Sequence, residues 1–242
     1  MSILRYTVPN SFTAMSLLLG VASIVTTQLG DLKFAAWIIV WCGLLDVMDG
    51  VSARLLKATS SFGAEFDSMA DLVSFGVAPA ILILNAGLQI GRVEVDSGQF
   101  WVLLAAVAVF VLAGAMRLAR FNLMSEESSD GWFAGVPITA AGGGLTSSIV
   151  LVLLYHPDIA GVLPLQLYFP VLMFVLALLM ISRIRFPKAK RRDSNFINAF
   201  QAVAILGIYY CGITRSYPEY LLGMGFFLMI AGIIAGRITR DK

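Results

Sequence analysis

Charged residues are scarce in this chain. They make up 13% of its 242 residues, whereas hydrophobic residues make up 59% and the mean hydropathy is +0.86. In a soluble domain about a quarter of the residues are charged and about half are apolar, so a soluble globular protein is excluded. Two cysteines, Cys42 and Cys211, and one histidine, His156, give no basis for a disulfide framework or a zinc site.

Long apolar runs fill most of the sequence instead. Because a helix needs about 20 apolar residues to cross a bilayer, the runs predict an all-α, polytopic transmembrane bundle of about eight spans. The runs are 11–30, 33–56, 63–88, 99–123, 137–155, 164–183, 196–213 and 219–238. Helices are expected because backbone polar groups must be satisfied inside the bilayer. We expect one integral membrane domain over residues 1–242, with segment 2–10 along the interface and no cleavable signal peptide.

Lysines and arginines lie mostly on one side of the predicted spans. With the N-terminus placed inside the cell, fourteen flank the inner membrane ends and three flank the outer ends, which accounts for all 17. The inner set is Arg5, Arg54, Lys57, Arg117, Arg120, Arg183, Arg185, Lys188, Lys190, Arg191, Arg192, Arg237, Arg240 and Lys242, and the outer set is Lys33, Arg92 and Arg215. The positive-inside rule therefore predicts that both termini are cytoplasmic. The densest segment, 183–192, serves topology or contacts anionic lipid headgroups.

Acidic residues interrupt the second and third runs, in LLDVMDGVSARLLKATSSFGAEFDSMADLVSF at 44–75. Asp46 and Asp49 are three residues apart, and Asp67 and Asp71 are four apart, so each pair shares one helix face. A short cytosolic turn after Lys57 makes the two helices antiparallel. Both pairs therefore lie at the same leaflet and are expected to face each other. Glu65, the fifth acid in this stretch, falls on the opposite face of the third helix from Asp67 and is expected to be solvated.

Four facing carboxylates cannot all remain ionised without compensation. Hard divalent cations provide it, because Mg²⁺ prefers carboxylate oxygens together with phosphate oxygens and water. Gly50, Ala53 and Gly63 lack bulk, which allows either a close ligand or close helix packing. Arg54 offers a fork of donors for phosphate, and Ser60 either caps the third helix or donates to a phosphate.

The pattern Asp46-x2-Asp49-Gly50-x2-Ala53-Arg54-x8-Gly63-x3-Asp67-x3-Asp71 resembles the complete signature of the CDP-alcohol phosphotransferases. These membrane enzymes transfer a phosphatidyl or related group from a CDP-linked donor to an alcohol. The resemblance implies two ions, Mg²⁺ or Mn²⁺, held by the four aspartates, with Asp71 also the general base. It further implies a set of residues that bind the CDP-lipid: Asn10, Gly50, Ala53, Arg54, Ser60 and Gly63. Family members resemble homodimers of six-helix units, so residues 1–183 would form the core, and 184–242 would add a basic loop and two transmembrane helices.

Three further stretches resemble the serine-using branch of that family. They are FDSMADLVSFGVAPA at 66–80, GAMRLARFN at 114–122 and FAGVPITAAGG at 133–143. The resemblance implies CDP-diacylglycerol and L-serine as substrates, with phosphatidylserine and CMP as products. Arg117 and Arg120 share a helix face and would hold the serine carboxylate or a donor phosphate, unless they reach the headgroups instead. Asn122 would add a hydrogen bond.

Other functions are compatible with parts of this pattern. A sister enzyme would use choline, inositol phosphate or glycerol phosphate as acceptor. An ion or proton transporter would also need intramembrane carboxylates, but it should carry polar groups through the whole membrane. We expect an integral protein of the inner membrane of a prokaryote, with its site at the cytoplasmic face and with no nucleic-acid partner.

Overall fold

The computed structural model describes residues 2–56, 60–124, 132–187 and 195–240, and almost all of these are helical. The helices are α1 (Ser2–Gln28), α2 (Leu32–Leu56), α3 (Ser61–Asp71), α4 (Ala78–Gln89), α5 (Gly98–Met124), α6 (Ser147–Tyr155), α7 (Pro157–Val162), α8 (Leu165–Ile181), α9 (Asn195–Thr214) and α10 (Pro218–Arg240). Two short strands, β1 (Trp132–Ala134) and β2 (Arg185–Pro187), pair antiparallel.

Among the described residues, five helices are long and apolar enough to cross a membrane, so the chain is an integral membrane protein. They are Thr7–Gln28, Leu32–Leu56, Ser61–Gln89, Gly98–Leu123 and Pro218–Ala235. Three shorter apolar helices, Thr139–Tyr155, Leu165–Ile181 and Ala199–Thr214, correspond to the remaining predicted runs. Segment 2–10 is helical and continuous with the first span, because α1 begins at Ser2 and continues through Pro9. Pro9 lies inside the helix, where a proline has no backbone N–H to donate to the preceding turn. The position of this segment along the interface stays a prediction.

Side-chain contacts show that the bundle has two distinct ends. At one end, which we call the aspartate end, Thr13 of α1 meets Asp49 of α2, and Asn122 of α5 meets Ser68 of α3. At the opposite end, which we call the far end, His156 after α6 contacts Glu219 of α10. Successive apolar helices therefore run alternately between the two ends. Segments 57–59, 125–131 and 188–194, which include most of the predicted basic cluster, lie outside the described residues.

The core lies where α2, α4, α5, α6 and α8 meet. Its largest fully buried side chains include Trp37, Phe75, Phe110 and Phe169. α6 lies deep in the bundle, and its first five residues are all buried. The hydroxyl of Thr146, just before α6, donates to the Ala141 carbonyl at 2.8 Å, so this buried polar group is satisfied within its own helix.

Two π-helical segments cross near the middle of the bundle. One, Leu72–Val77, joins α3 to α4, and the other, Thr139–Thr146, leads into α6. They touch through glycine: a Cβ added at Gly142 would overlap the Phe75 carbonyl oxygen, and one at Gly143 would lie 2.8 Å from the Phe75 ring. π-Helical turns are rare and are frequently found at functional sites. The first of these segments begins directly after Asp71.

We predict that Gly142→Ala lowers the melting temperature of the detergent-solubilised protein, followed by tryptophan fluorescence. The added methyl has no space against the Phe75 backbone, and overpacking of this kind costs about 1–3 kcal/mol. Gly144→Ala is the matched control, because its Cβ would meet only the Thr139 carbonyl oxygen, at an ordinary 3.8 Å. Equal melting temperatures for the two variants would contradict the close crossing.

Candidate active site

Carboxylates from α2 and α3 converge at the aspartate end. Oxygens of Asp46, Asp49 and Asp67 lie within 4.8 Å of one another, as the spacing of the two pairs predicted. Asp49 is buried, at 7% exposure, and the other two are partly buried. Three acidic groups this close repel one another strongly in a medium that excludes water, so the arrangement calls for a compensating cation.

Asp71 lies beside this group without being one of the three. It comes one turn after Asp67, next to Asp46 and within electrostatic reach of Arg117. Because the helix continues from Asp71 into the π-helical segment, the direction of the Asp71 side chain depends on the crossing at Phe75. A carboxylate adjacent to a cation site, and not fully enclosed by it, is placed to accept a proton.

Helices outside the motif hold α2 in place near the acids. The Thr13 hydroxyl of α1 donates to Asp49 Oδ2 at 2.9 Å. From the other side, the Tyr209 hydroxyl of α9 donates to the Leu44 carbonyl at 2.7 Å, two residues before Asp46. Neither Thr13 nor Tyr209 was among the predicted site residues. Thr13 carries a signal in the sequence, because Asn10, Thr13 and Ser16 are spaced three residues apart and so share one face of α1.

The small residues of the motif border the same space. The guanidinium of Arg54 lies over Gly50, where an added Cβ would be 4.0 Å from both terminal nitrogens. A Cβ at Gly63 would lie 3.1 Å from Ser60 Oγ and 3.4 Å from Asn10 Oδ1. A side chain at Gly63 would therefore press on the Ser60 hydroxyl, whereas one at Gly50 would make only ordinary contact with Arg54. Ala53, one turn after Asp49 and Gly50, is partly buried.

Ser60 caps α3, which is one of the two roles that its position allowed. Its hydroxyl oxygen accepts from the Gly63 backbone N–H at 3.0 Å, and its backbone is extended. An N-cap of this type contributes about 1 kcal/mol to a helix. The cap also fixes where α3 begins, and hence where Asp67 and Asp71 point.

The two predicted arginines of α5 have different environments. The Arg120 guanidinium donates to four backbone carbonyls: Ile181 at 2.9 Å, Ala134 at 2.8 Å, Met180 at 3.2 Å and Ser182 at 3.4 Å. Arg120 therefore joins α5 to the end of α8 and to β1. Arg117 is buried, at 7% exposure, and its Nε has no hydrogen-bond partner among the described residues. A buried donor without a partner is costly, which makes Arg117 the arginine with capacity for a ligand.

Asn122 links α5 to α3. Its amide oxygen accepts from Ser68 Oγ at 3.1 Å, and its amide nitrogen donates to Glu65 Oε2 at 3.1 Å. Glu65 is exposed, as its position on the opposite face from the aspartates predicted. Asn122 thus lies at the aspartate end and ties the outer face of α3 to α5.

The aspartate group fits a hard divalent ion. In an octahedral Mg²⁺ site with bonds of about 2.1 Å, ligand oxygens are separated by about 3–4 Å, close to the spacing of the three carboxylates here. The donors are all carboxylate oxygens, which suit Mg²⁺ and Mn²⁺ and disfavour softer metals. Arg117 is within electrostatic reach of Asp71, and no described basic residue is paired with Asp46, Asp49 or Asp67.

Known proteins resemble this chain over most of its length. A CDP-diacylglycerol–serine O-phosphatidyltransferase of Helicobacter pylori is 36% identical over 230 residues, which cover 95% of this chain and 90% of that protein. An enzyme of the same name from Methanocaldococcus jannaschii is 32% identical over 88% of this chain and 89% of its own length. An archaetidylserine synthase of Methanothermobacter thermautotrophicus is 30% identical over 74% of this chain and 69% of its own length.

A family model describes nearly the whole sequence. The model for CDP-alcohol phosphatidyltransferases matches residues 6–234, which include the aspartate pairs, both arginines of α5 and the two C-terminal helices. The match agrees with the motif on α2 and α3 and with the convergence of its carboxylates in the fold. The chain therefore belongs to the CDP-alcohol phosphatidyltransferase family.

Proposed function

We propose that this protein transfers the phosphatidyl group of CDP-diacylglycerol to L-serine, giving phosphatidylserine and CMP. The observation that carries the proposal is the convergence of Asp46, Asp49 and Asp67 beside Asp71 at one end of the membrane bundle. The names of the relatives support serine, since the bacterial and archaeal proteins are named for serine transfer whether the product is phosphatidylserine or archaetidylserine. This range of names leaves the lipid backbone of the donor as a separate question.

Asp71 serves as the general base in this proposal. The serine hydroxyl has a pKa far above 7, so a positioned group must take its proton as the oxygen attacks. Asp71 accepts that proton, the serine oxygen bonds to the lipid-side phosphorus, and the bond from that phosphorus to the CMP oxygen breaks. CMP leaves with the electron pair of the broken bond. The close contact between Phe75 and Gly142 holds the π-helical segment that begins directly after Asp71.

The other aspartates would hold the metal. Asp46, Asp49 and Asp67 are the ligands that we assign to Mg²⁺ or Mn²⁺, with Asp71 contributing to a second ion. When bound, the ions neutralise the pyrophosphate and the charge that develops on the departing CMP. Thr13 orients Asp49 by its hydrogen bond, so one carboxylate oxygen keeps a fixed direction.

Residues around the aspartate end would bind the two substrates. Arg54, Gly50, Ala53, Gly63, Ser60 and Asn10 form the CDP-lipid set. Arg117 would hold the serine carboxylate, because it is buried beside Asp71 and has a donor without a partner. Arg120 already donates to four carbonyls, so we give it the role of positioning α5 and Arg117 upon it. Asn122 would support the same helix.

The proposed membrane arrangement follows from charge. All eight apolar helices would span or enter the bilayer, with both termini and the aspartate end at the cytoplasmic face of an inner membrane. Lys33, Arg92 and Arg215 lie at or beyond the far end of their helices, in agreement with that orientation. Water-soluble serine and CMP could then exchange with the cytoplasm while the acyl chains stay in lipid. A homodimer, with residues 1–183 as its core, is part of the proposal, as is contact of segment 183–192 with anionic headgroups.

The acceptor is tested by CMP release. Purified protein with CDP-diacylglycerol and Mg²⁺ or Mn²⁺ should release CMP with L-serine, but not with choline, inositol phosphate or glycerol phosphate. Chelation of divalent ions should stop release, and their return should restore it. CMP produced only with one of the other acceptors would assign the protein to a sister enzyme. Full turnover in chelator would contradict the metal site, and ion flux without CMP release would indicate a transporter.

Two aspartate variants should separate chemistry from binding. Asp71→Asn should lower turnover by about 10²–10⁴-fold, the contribution of a general base, while largely retaining CDP-diacylglycerol binding. Asp46→Asn should weaken metal-dependent nucleotide binding, because it removes a ligand charge. Turnover is measured as CMP release in a single-turnover experiment. Binding is measured by calorimetry with CDP-diacylglycerol and Mg²⁺.

Glu65→Gln is the control for both variants. It lies on the same helix as Asp71 but faces Asn122 at the exposed surface, and glutamine keeps an oxygen for that contact. It should retain wild-type turnover and binding. Wild-type rates in Asp71→Asn would remove Asp71 from the role of base.

Arg117 and Arg120 should give opposite phenotypes. Arg117→Gln should raise the KM for serine by about tenfold or more, since a charge-assisted hydrogen bond contributes about 1.5–3 kcal/mol. Its melting temperature should fall less than that of Arg120→Gln, because its Nε makes no hydrogen bond among the described residues. Arg120→Gln should lower the melting temperature, because it removes the contacts to α8 and β1. A raised KM for CDP-diacylglycerol in Arg117→Gln, with serine unaffected, would assign Arg117 to the donor instead.

A further inference from the structure

A second polar site lies at the far end of the bundle, away from the aspartates. It is an open cavity of about 370 Å³. We call it the far-end cavity, and its lining residues are Asp31, Lys33, Phe34, Trp37, Tyr155, Thr214 and Arg215. They come from the start of α2, the end of α6 and the end of α9. None of them belongs to the motif or to the proposed substrate sites.

Tyr155 brings two cations to this cavity. The ammonium of Lys33 lies over the Tyr155 ring, 3.6 Å from its centroid. The Tyr155 hydroxyl donates to the Arg215 carbonyl at 2.9 Å. Arg215 has a φ of +52°, a left-handed conformation that is uncommon for a residue with a side chain and that this hydrogen bond helps to hold. One aromatic residue therefore fixes both the lysine side chain and the turn that carries the arginine.

The polar groups of the cavity are not compensated by one another. Among the residues that the structure describes, neither Lys33 nor Arg215 forms an ion pair with a carboxylate. Asp31 caps the start of α2, where Oδ1 accepts from the Phe34 backbone N–H at 2.9 Å. The cavity thus holds two cations and one acid that already accepts a hydrogen bond, so its net charge favours an anion.

Aromatic rings form the inner wall of the cavity. Phe34 and Trp37 of α2 and Tyr155 of α6 are among its lining residues. Trp37 is 2% exposed, and its indole Nε1 is buried away from the cavity surface. Trp37 therefore contributes ring surface to the cavity and no hydrogen bond to a ligand.

We propose that the far-end cavity binds the phosphate of an anionic phospholipid from the leaflet opposite to the aspartates. Lys33 and Arg215 supply the charge that attracts the phosphate. Phosphate is the shared chemistry of a lipid headgroup and a free ion. The lipid is favoured because the cavity opens at the ends of apolar helices, and because Phe34, Trp37 and Tyr155 give it the aromatic wall typical of a membrane interface.

Native mass spectrometry of the full chain in detergent tests this proposal. The protein is titrated with phosphatidylglycerol and, separately, with phosphatidylcholine of the same acyl chains. The wild type should bind at least one phosphatidylglycerol more tightly than any phosphatidylcholine. The double variant Lys33→Gln, Arg215→Gln should lose that adduct, with affinity reduced by about tenfold or more.

Arg92→Gln is the matched control, because Arg92 is a cation of the far end that does not line the cavity. It should bind phosphatidylglycerol as the wild type does, and all variants should elute from size exclusion as the wild type does. Equal loss of the adduct in Arg92→Gln, or no loss in the double variant, would overturn the proposal. A third outcome would also overturn it: inorganic phosphate protects the wild type from thermal unfolding, does not protect the double variant, and displaces no lipid. That result would identify a site for the free ion. The experiment needs no turnover, so its failure is distinguishable from failure of the proposed transferase activity.

Discussion

Mutual repulsion of carboxylates is the constraint on which the rest of this structure depends. Asp46, Asp49 and Asp67 lie within 4.8 Å of one another on two helices of a membrane bundle, and Asp71 lies beside them. Nothing in the helices themselves would keep these groups together, so the fold must hold α2 and α3 against the force that separates them. The surrounding helices supply that restraint, and a divalent cation in the proposed site would relieve the repulsion.

The packing around the acids is polar where one would expect a membrane protein to be apolar. Ser16, Cys42 and Ser74 form a buried network below the aspartates, in which Ser74 Oγ donates to the Ser16 carbonyl at 3.0 Å and Cys42 Sγ donates to the same carbonyl at 3.4 Å. Interhelical hydrogen bonds and small side chains are the usual means of association in a medium without a hydrophobic driving force. Here they join α1, α2 and the π-helical segment that follows Asp71. The same contacts that stabilise the bundle therefore also hold the helical turn that follows Asp71.

Periodicity predicted the helices and the aspartate site well, because both depend on local spacing. Each apolar run has a helix near its predicted bounds, and the three-residue and four-residue spacings brought the carboxylates together. The two π-helical segments were not predictable, since they arise from the contact between Phe75 and Gly142 and from no local pattern. Spacing also placed Arg117 and Arg120 on one face but could not tell them apart. The difference lies in carbonyls 14 to 62 residues away, which only the fold brings to Arg120.

The C-terminal helices illustrate the same limit, because their role depends on contacts with the front of the chain. Tyr209 of α9 donates to the Leu44 carbonyl near Asp46, and Trp41 of α2 donates to the Gly212 carbonyl of α9. α9 is thus bonded to α2 at two levels, while Thr13 of α1 bonds α2 from another side. Each such bond contributes about 1 kcal/mol, but their larger effect is directional, because a helix held on two sides cannot rotate its carboxylates away from those of α3. Helices α1 and α9 therefore contribute to the site although they lie outside the motif, because they restrict the rotation of α2 that would separate its carboxylates from those of α3.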